Sequence, residues 1–456
     1  MRVSYVGTGY VGLVSGAVSA EMGNKVICVD VPEKVKFLKS GGIPIYEPGL
    51  EEIVKREASS GNLEFSDSIP YAVKNSDIVF ITVGTPSNND GSVDLRYVFS
   101  AAEEIGKAID NYKLVVVKST VPPGTTAKIE EIIKRLTSNE FDTVSNPEFL
   151  REGKAIEDTR RPDRVVVGVN SEKAERILRK FYGLSITDRN PNKYPFISMK
   201  PVEAEMVKYA SNTALATRIS FANQLANICN LVSADYKKVK EAMCLDKRIG
   251  NEFLEAGLGY AGSCFPKDVD ALVRFSESLG YSPSLLKAVS DVNRYQTNLF
   301  LQKIRKYFGN SLAVFKDKNF AVWGLSFKPE TDDIREAPSL RVIRHLIVNG
   351  AYVRCYDPKA KENAKKSLTK LLKLYDEPGH LGYLHKVVYC DKKEDAVKRS
   401  DALIICTEWP EFRKPDFEFL KKNLKTPVIF DGRNIYDPKE LREKGFDYIG
   451  VGVSNI

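Results

Sequence analysis

Two hydrophobic periods alternate along the chain. Short apolar runs rich in valine and isoleucine read as strands buried on both faces of a parallel sheet, and the stretches between them place apolar residues at helical spacing. A run over residues 2–5 leads into GTGYVG, a helical stretch continues to Met22, and KVICVD ends a second run at Asp30. Later runs are SDIVFITVGTP (76–86), LVVVKSTVPPGT (114–125) and FDTVSNPEFL (141–150). They finish in small polar residues, where a doubly wound sheet places its ligands.

The second half repeats this grammar. NFAVWGL reads as a strand, SLRVIRHLIVNG as a helix ending in glycine, and AYVRCYDP as a strand ending in Asp357. SDALIICTEWP (400–410) then echoes SDIVFITVGTP in its first two residues, its apolar run and its final proline. The aspartate-to-serine spacing is 43 residues here and 46 in the first half. Between the halves, residues 201–235 carry no strand signal, show apolar residues at helical spacing and open on a proline suited to a first helical turn. Helical pattern resumes over residues 284–308. The pattern predicts an α/β chain with two Rossmann-like, doubly wound domains, 1–198 and 311–456. A helical central domain, 199–310, built on a long helix, joins them. A length of 456 residues with 43% hydrophobic content asks for two or three domains.

GTGYVG sits in a strand–turn–helix–strand context, and Asp30 follows Gly12 by 18 residues. The glycines Gly7, Gly9 and Gly12 permit a tight turn and let a pyrophosphate approach a helix N-terminus, while Asp30 can accept hydrogen bonds from a ribose diol. An acid at that position repels a 2′-phosphate, so NAD is expected rather than NADP. In the second half GLSFKPETDD replaces the glycine fingerprint, which suggests a different nucleotide.

Composition narrows the classes. The net charge of +8 comes from interspersed charges, which suit a mixed surface or an enzyme of anionic small molecules better than nucleic acid. No apolar stretch has the length of a membrane span. The three histidines, His345, His380 and His385, have neither metal-ligand spacing nor a nucleophile beside them, so no metal is expected. Seven cysteines without a CxxC pair point away from a disulfide framework and towards a reducing, cytoplasmic setting. Six of them lie in apolar or helical pattern, as cysteine used as a small hydrophobe does. Cys264 differs: GYAGSCFPKD places it in a glycine-rich turn with Lys267 and Asp268 close behind, a setting in which a thiolate nucleophile is made.

These motifs together resemble the UDP-glucose/GDP-mannose dehydrogenase family of nucleotide-sugar dehydrogenases. GTGYVG, VGTP, KSTVPPGT, NPEFLREG, KYASN, RIG, GYAGSCFPKD, LSFKPETDDIRE and FDGR occur in the family's order over essentially the whole chain. The resemblance implies oxidation of UDP-glucose at C6 to UDP-glucuronate, with two NAD+ and one water consumed and the intermediate held on Cys264 as a thiohemiacetal and then a thioester. Carried to this chain, the family's catalytic positions are Cys264, Lys208, Asn212, Asp268, Glu148 and Thr120. Lys208 and Asn212 would stabilise oxyanions, Thr120 and Asp268 would hold a water that takes the first proton, and Glu148 would assist thioester hydrolysis. Cofactor positions are Gly7, Gly9, Tyr10, Val11, Gly12, Asp30, Lys34, Thr85, Thr120, Glu152, Lys267 and Arg335. Sugar-nucleotide positions are Glu148, Phe149, Leu150, Lys208, Asn212, Arg248, Phe253, Tyr260, Gly262, Phe327, Lys328 and Arg433.

Taken singly, each residue has an ordinary reading: Glu148 and Glu152 as a helix start, Asp268 as a cap, Lys208 as a solvated lysine. Their joint occurrence with a loop cysteine favours the enzyme. Two features depart from the family's pattern: Ala261 precedes Gly262 where two glycines are usual, and VPEKV after Asp30 is one residue short. The Ala261 loop is expected to hold an unstrained conformation. Two other functions stay open, a dehydrogenase of GDP-mannose or a UDP-N-acetylhexosamine and a non-catalytic dinucleotide sensor. The apolar content of the long helix implies a homodimer or an assembly of dimers.

Overall fold

A computed structural model of the chain describes residues 1–183, 194–374 and 380–453. The chain forms two compact units, Met1–Ser211 with Arg274–Gly280, and Asn212–Val273 with Tyr281–Ile456.

The first unit is built on strands β1 (Arg2–Val6), β2 (Lys25–Val29), β3 (Leu63–Ser66), β4 (Ile78–Ile81), β5 (Lys113–Val117), β6 (Phe141–Ser145), β7 (Val165–Gly168) and β8 (Phe196–Met199). They form one sheet in the order β3-β2-β1-β4-β5-β6-β7-β8. All neighbours are parallel except β6 and β7, which pair antiparallel at Ser145 and Gly168. Alternate strand residues feed two cores on opposite faces. Val3, Tyr5, Ile78, Phe80, Leu114 and Val116 belong to one, while Val6, Val79, Ile81, Val115 and Val117 belong to the other. Burial on both faces is why these strands read as unbroken apolar runs rather than as alternation.

The second unit repeats the plan with β9 (Asn319–Trp323), β10 (Tyr352–Tyr356), β11 (Val387–Tyr389), β12 (Ala402–Ile405), β13 (Val428–Asp431) and β14 (Asp447–Gly450). Their order, β11-β10-β9-β12-β13-β14, is that of the first six strands, and every neighbour is parallel. In each sheet the order reverses beside the first strand in sequence, the switch point at which this architecture opens a crevice.

The long helix Pro201–Leu231 runs for 31 residues. Pro201 presets its first turn, and Glu203 reaches back to accept from the Lys200 N–H at 2.8 Å, the return half of a capping box. Its first residues belong to the first unit. There the buried Glu205 accepts from the N–H groups of Gly124 and Thr126 at 2.5 and 2.7 Å, capping the helix Thr125–Lys134. Its remainder belongs to the second unit, where Asn223 accepts from the Gly257 N–H at 2.8 Å and Ser220 donates to the Val289 carbonyl at 2.8 Å. None of the seven cysteines forms a disulfide. Among the described residues no helix is long and apolar enough to cross a membrane, and no cluster of three metal-ligating side chains occurs.

Candidate active site

The glycine turn of the first unit has the shape a dinucleotide needs. Gly7 takes φ +102°, and a Cβ there would stand 2.7 Å from the Thr82 carbonyl oxygen. A Cβ on Gly12 would stand 1.8 Å from the Gly7 carbonyl oxygen, so the helix Tyr10–Glu21 can start this close to β1 only with glycine present. A Cβ on Gly9 would meet nothing within 4 Å. That open space lies at the helix N-terminus, where the first-turn N–H groups and the helix dipole favour a pyrophosphate. Tyr10 and Val11 form this first turn, and the Tyr10 hydroxyl donates to the Tyr46 carbonyl at 2.8 Å.

Asp30, just past β2, accepts on Oδ2 from the Thr8 N–H and hydroxyl at 2.7 and 2.6 Å, and on Oδ1 from the Val31 N–H at 2.9 Å. Burial opposes its charge, but these bonds and the Lys34 ammonium at 2.9 Å outweigh burial and hold the carboxyl below its ordinary value. The acid is therefore ionised and only partly enclosed, with 16% of its side chain exposed. Lys34 is the partner of Asp30 in this structure. Thr85, Thr120 and Glu152 lie half-buried in the segments that follow β4, β5 and β6.

The end of β6 carries a buried ion pair. Glu148 and Lys208 are 7% and 4% exposed, and the Lys208 ammonium donates to Glu148 Oε1 and to its backbone carbonyl, both at 2.7 Å. The Leu150 N–H donates to the other carboxylate oxygen at 2.6 Å. Burial alone would raise the Glu148 carboxyl; the Lys208 charge and hydrogen bond, the Leu150 N–H and the Lys118 charge together lower it. Phe149 lies beneath the Arg164 guanidinium, 3.8 Å from its centroid.

In the second unit Cys264 immediately precedes the helix Phe265–Ser278, where the N-terminal dipole favours an anion. One turn on, Asp268 is 1% exposed, and its N–H donates to the Cys264 carbonyl at 2.9 Å. Asp268 accepts from the Asn212 amide and the Lys267 ammonium, each at 2.6 Å. Burial pushes the thiols of Cys28 and Cys406 up to about 12 and raises those of Cys229, Cys355 and Cys390 as well, which makes all five poor nucleophiles. In the cysteine loop Gly259 and Gly262 take φ +102° and +83°, whereas Ala261 is not among the residues of positive φ. Alanine costs the loop no backbone strain, as expected. A Cβ on Gly262 would stand 2.8 Å from the Phe327 ring, so the glycine lets that ring lie against the loop.

Around this loop, Tyr260 exchanges hydrogen bonds with Asn293 at 2.7 and 2.9 Å and packs edge-on to Phe265. Phe253 takes φ +61°, a strained conformation for a bulky residue and the kind that clusters at functional sites. The Phe327 carbonyl accepts from Arg433 at 2.9 Å, and the Lys328 ammonium lies 5.3 Å from the Phe327 ring. Arg335 pairs with Asp333 at 2.6 Å, and its carbonyl accepts from the Gly262 N–H at 2.9 Å. Arg248 stands apart, with 89% of its side chain exposed and its guanidinium on Asp246.

Sequence reading missed three contributors. Thr82 donates to the carbonyls of Val6 and Gly7 at 2.9 and 2.8 Å and so fixes the glycine turn. Its signal was the echo between SDIVFIT and SDALIICT, since Thr407 donates to the Ser326 carbonyl in the second sheet at 2.5 Å. Lys118 and Asn146 were visible only as letters inside KSTVPPGT and NPEFLREG.

Three family models match in succession. The NAD binding domain of the UDP-glucose/GDP-mannose dehydrogenase family covers residues 1–185, its central domain 202–295 and its UDP binding domain 321–438. UDP-glucose 6-dehydrogenase TuaD of Bacillus subtilis is 42% identical over 99% of this chain and 93% of its own length. UDP-glucose 6-dehydrogenase of Pseudomonas aeruginosa is 42% identical over 99% and 97%. The solved structure of a UDP-glucose dehydrogenase from the archaeon Pyrobaculum islandicum, 40% identical, superposes with a TM-score of 0.86 over 99% of this chain and 97% of that one. The glycine cradle with its ionised Asp30 suits NAD, the cofactor to which the first of these domains is matched. The chain belongs to the UDP-glucose/GDP-mannose dehydrogenase family and is an NAD-dependent oxidoreductase.

Proposed function

We propose that the protein oxidises UDP-glucose at C6 to UDP-glucuronate, consuming two NAD+ and one water, with Cys264 holding the intermediate. The observation that carries this reading is the cysteine loop: a thiol at a helix N-terminus, with Asp268 buried one turn on and bonded to Asn212. NAD+, when bound, accepts a hydride in each of two oxidations.

The chain's own groups do the rest. In the first oxidation, the substrate's hydroxyl proton passes to a water held by Thr120 and Asp268, and the aldehyde forms. The Cys264 thiolate adds to the aldehyde carbon, giving a thiohemiacetal that keeps the aldehyde from escaping and is itself a hydride donor. Lys208 and Asn212, four residues apart on one helix, donate to the oxygen that carries developing negative charge, an arrangement worth roughly 3 to 4 kcal/mol per positioned donor. The second oxidation leaves a thioester. Glu148 accepts a proton from water as it attacks the thioester carbon; the C–S bond breaks and the thiolate returns to Cys264. Lys208 holds Glu148 in the free chain, so turning to the substrate oxygen releases the carboxylate as a base.

Phe149 and Leu150 at their backbone, with Phe253, Tyr260, Gly262, Phe327, Lys328 and Arg433, are proposed to hold the sugar nucleotide. Lys34, Thr85, Glu152, Lys267 and Arg335 are proposed to complete the cofactor contacts. Arg248 is free to reach phosphate or a partner subunit only after leaving Asp246. We place the enzyme in the cytoplasm, where Cys264 stays a thiol, and assign it a homodimer or an assembly of dimers through residues 199–310. Phe221, Ile228 and Leu231 of the long helix, with Val232 just past its end, support this, being 48, 50, 85 and 68% exposed.

NADH formation with a panel of nucleotide sugars tests the substrate. The expected result is turnover with UDP-glucose at two NADH per sugar and no free aldehyde; a ratio near one, or preference for GDP-mannose or a UDP-N-acetylhexosamine, would overturn it. Light scattering should give a dimer or larger, and a strict monomer at micromolar concentration would remove the assembly.

A further inference from the structure

Beside the Glu148–Lys208 pair lies a second lysine that none of the steps above uses. Lys118 follows β5 and stands next to Asn146, which follows β6; the Asn146 N–H donates to the Val117 carbonyl at 2.9 Å and so extends the β5–β6 ladder. Lys118 is 9% exposed, and its ammonium makes one long hydrogen bond, to Asn146 Oδ1 at 3.3 Å. That oxygen also accepts from the Tyr182 hydroxyl at 2.5 Å, and the Asn146 amide nitrogen is committed to the Val166 carbonyl at 2.8 Å. Among the described residues no carboxylate lies within ion-pair distance of Lys118. An ammonium buried on so little costs several kcal/mol.

Lys118, Asn146 and Glu148 line one pocket of the first unit. The charged and titratable groups around it can be assigned in turn. Asp158 is committed to Arg151 at 2.6 Å, Asp163 is exposed, and Arg164 lies on the Phe149 ring. Tyr5, Tyr182 and Tyr194 are phenols that burial keeps neutral, and Lys208 is already bonded to Glu148. Glu148 is thus the buried anion that Lys118 serves.

We propose that Lys118 is a positioning residue for Glu148, a fixed positive charge that keeps this carboxylate ionised and seated on the Leu150 N–H when Lys208 turns to the substrate. The inference rests on the hydrolytic role given to Glu148 above. Burial first, and the Lys208 charge as well, hold the Lys118 ammonium down to about 8 against the pull of Glu148, so it remains mostly charged at neutral pH. Its charge lowers the Glu148 carboxyl in addition to that of Lys208, and it shares the Glu148 pocket.

The test is the pH dependence of sugar-acid release in single turnover. In Lys118→Met the acid limb should move up by roughly one pH unit, the size of effect a nearby charge has on a carboxyl. Lys118→Arg should restore it, and the Kd values for NAD+ and UDP-glucose should stay within about twofold of the parent, since Lys118 touches neither ligand in the proposal. An unmoved limb in Lys118→Met, or an equal shift in Lys118→Arg, would overturn the inference. If Lys118→Met does not fold, Lys118→Gln takes its place, and failure of both to fold would assign Lys118 to architecture instead. Normal turnover by Glu148→Gln would sink the reading of Glu148 itself, whatever Lys118 does.

Discussion

The two sheets share strand order and direction, yet their switch-point aspartates have opposite fates. Asp30 keeps part of its carboxylate open and is held by Thr8, Val31 and Lys34. Asp357 is 4% exposed and is consumed by the protein. Its Oδ2 accepts from the N–H groups of Leu325 and Ser326 at 2.7 and 3.1 Å and from the Trp409 indole at 3.1 Å, and its Oδ1 accepts from Lys359 and Ala360 at 2.9 and 2.7 Å. The turns differ in the same sense. Gly324 keeps the left-handed φ of Gly7, at +88°, but Ser326 and Pro329 replace the glycines that open space and start a helix. One architecture was kept twice; the acid stays partly open in one copy and closes the turn in the other.

Removing each acid should separate the two roles. Asp357→Ala leaves four buried N–H groups without an acceptor and should cost on the order of 3 to 5 kcal/mol, enough to unfold the second unit or lower its Tm sharply. Asp30→Ala should lower Tm much less than Asp357→Ala, since part of its carboxylate is open to solvent, and should weaken NAD+ binding in calorimetry. Equal losses of Tm would break the comparison.

The glycines sharpen it. Gly12→Ala drives a Cβ into the Gly7 carbonyl and should abolish NAD+ binding with loss of stability. Gly9→Ala meets open space and should keep Tm while weakening the cofactor, because a pyrophosphate approaching this helix N-terminus would meet the added methyl. A destabilised Gly9→Ala with normal NAD+ affinity would contradict the cradle.

The smallest effect concerns pH. Because Asp30 titrates below its ordinary value when folded, it adds stability above the unfolded carboxyl value, roughly pH 4, and loses it as pH falls through the lower folded value. Asp30→Asn should therefore flatten the acid side of the stability profile in that window, and a profile parallel to the parent's would contradict the assignment.

Much of this was legible in the letters. Both switch points, the long helix and the helix Ser284–Phe308 followed from apolar period and glycine spacing, since buried parallel strands and amphipathic helices write themselves locally. The antiparallel β6–β7 pair and the added β8 did not, because VVVG and FISM are too short to announce direction. The satisfaction of Asp357 depends on Trp409, 52 residues away, and the role of Lys118 on a neighbour 28 residues on; neither distance is encoded in a motif. Ala261 was visible as a departure, but its ordinary φ needed coordinates.

The central claim is that Cys264 carries the sugar and Glu148 frees it. Rapid mixing of Glu148→Gln with UDP-glucose and NAD+, followed by acid quench and mass spectrometry, tests it directly. The account predicts a burst approaching two NADH per active site, a slow steady state, and a glucuronyl-nucleotide adduct on Cys264 that is missing when Cys264→Ala is added. Loss of the first hydride transfer, or normal turnover with no adduct, would contradict it.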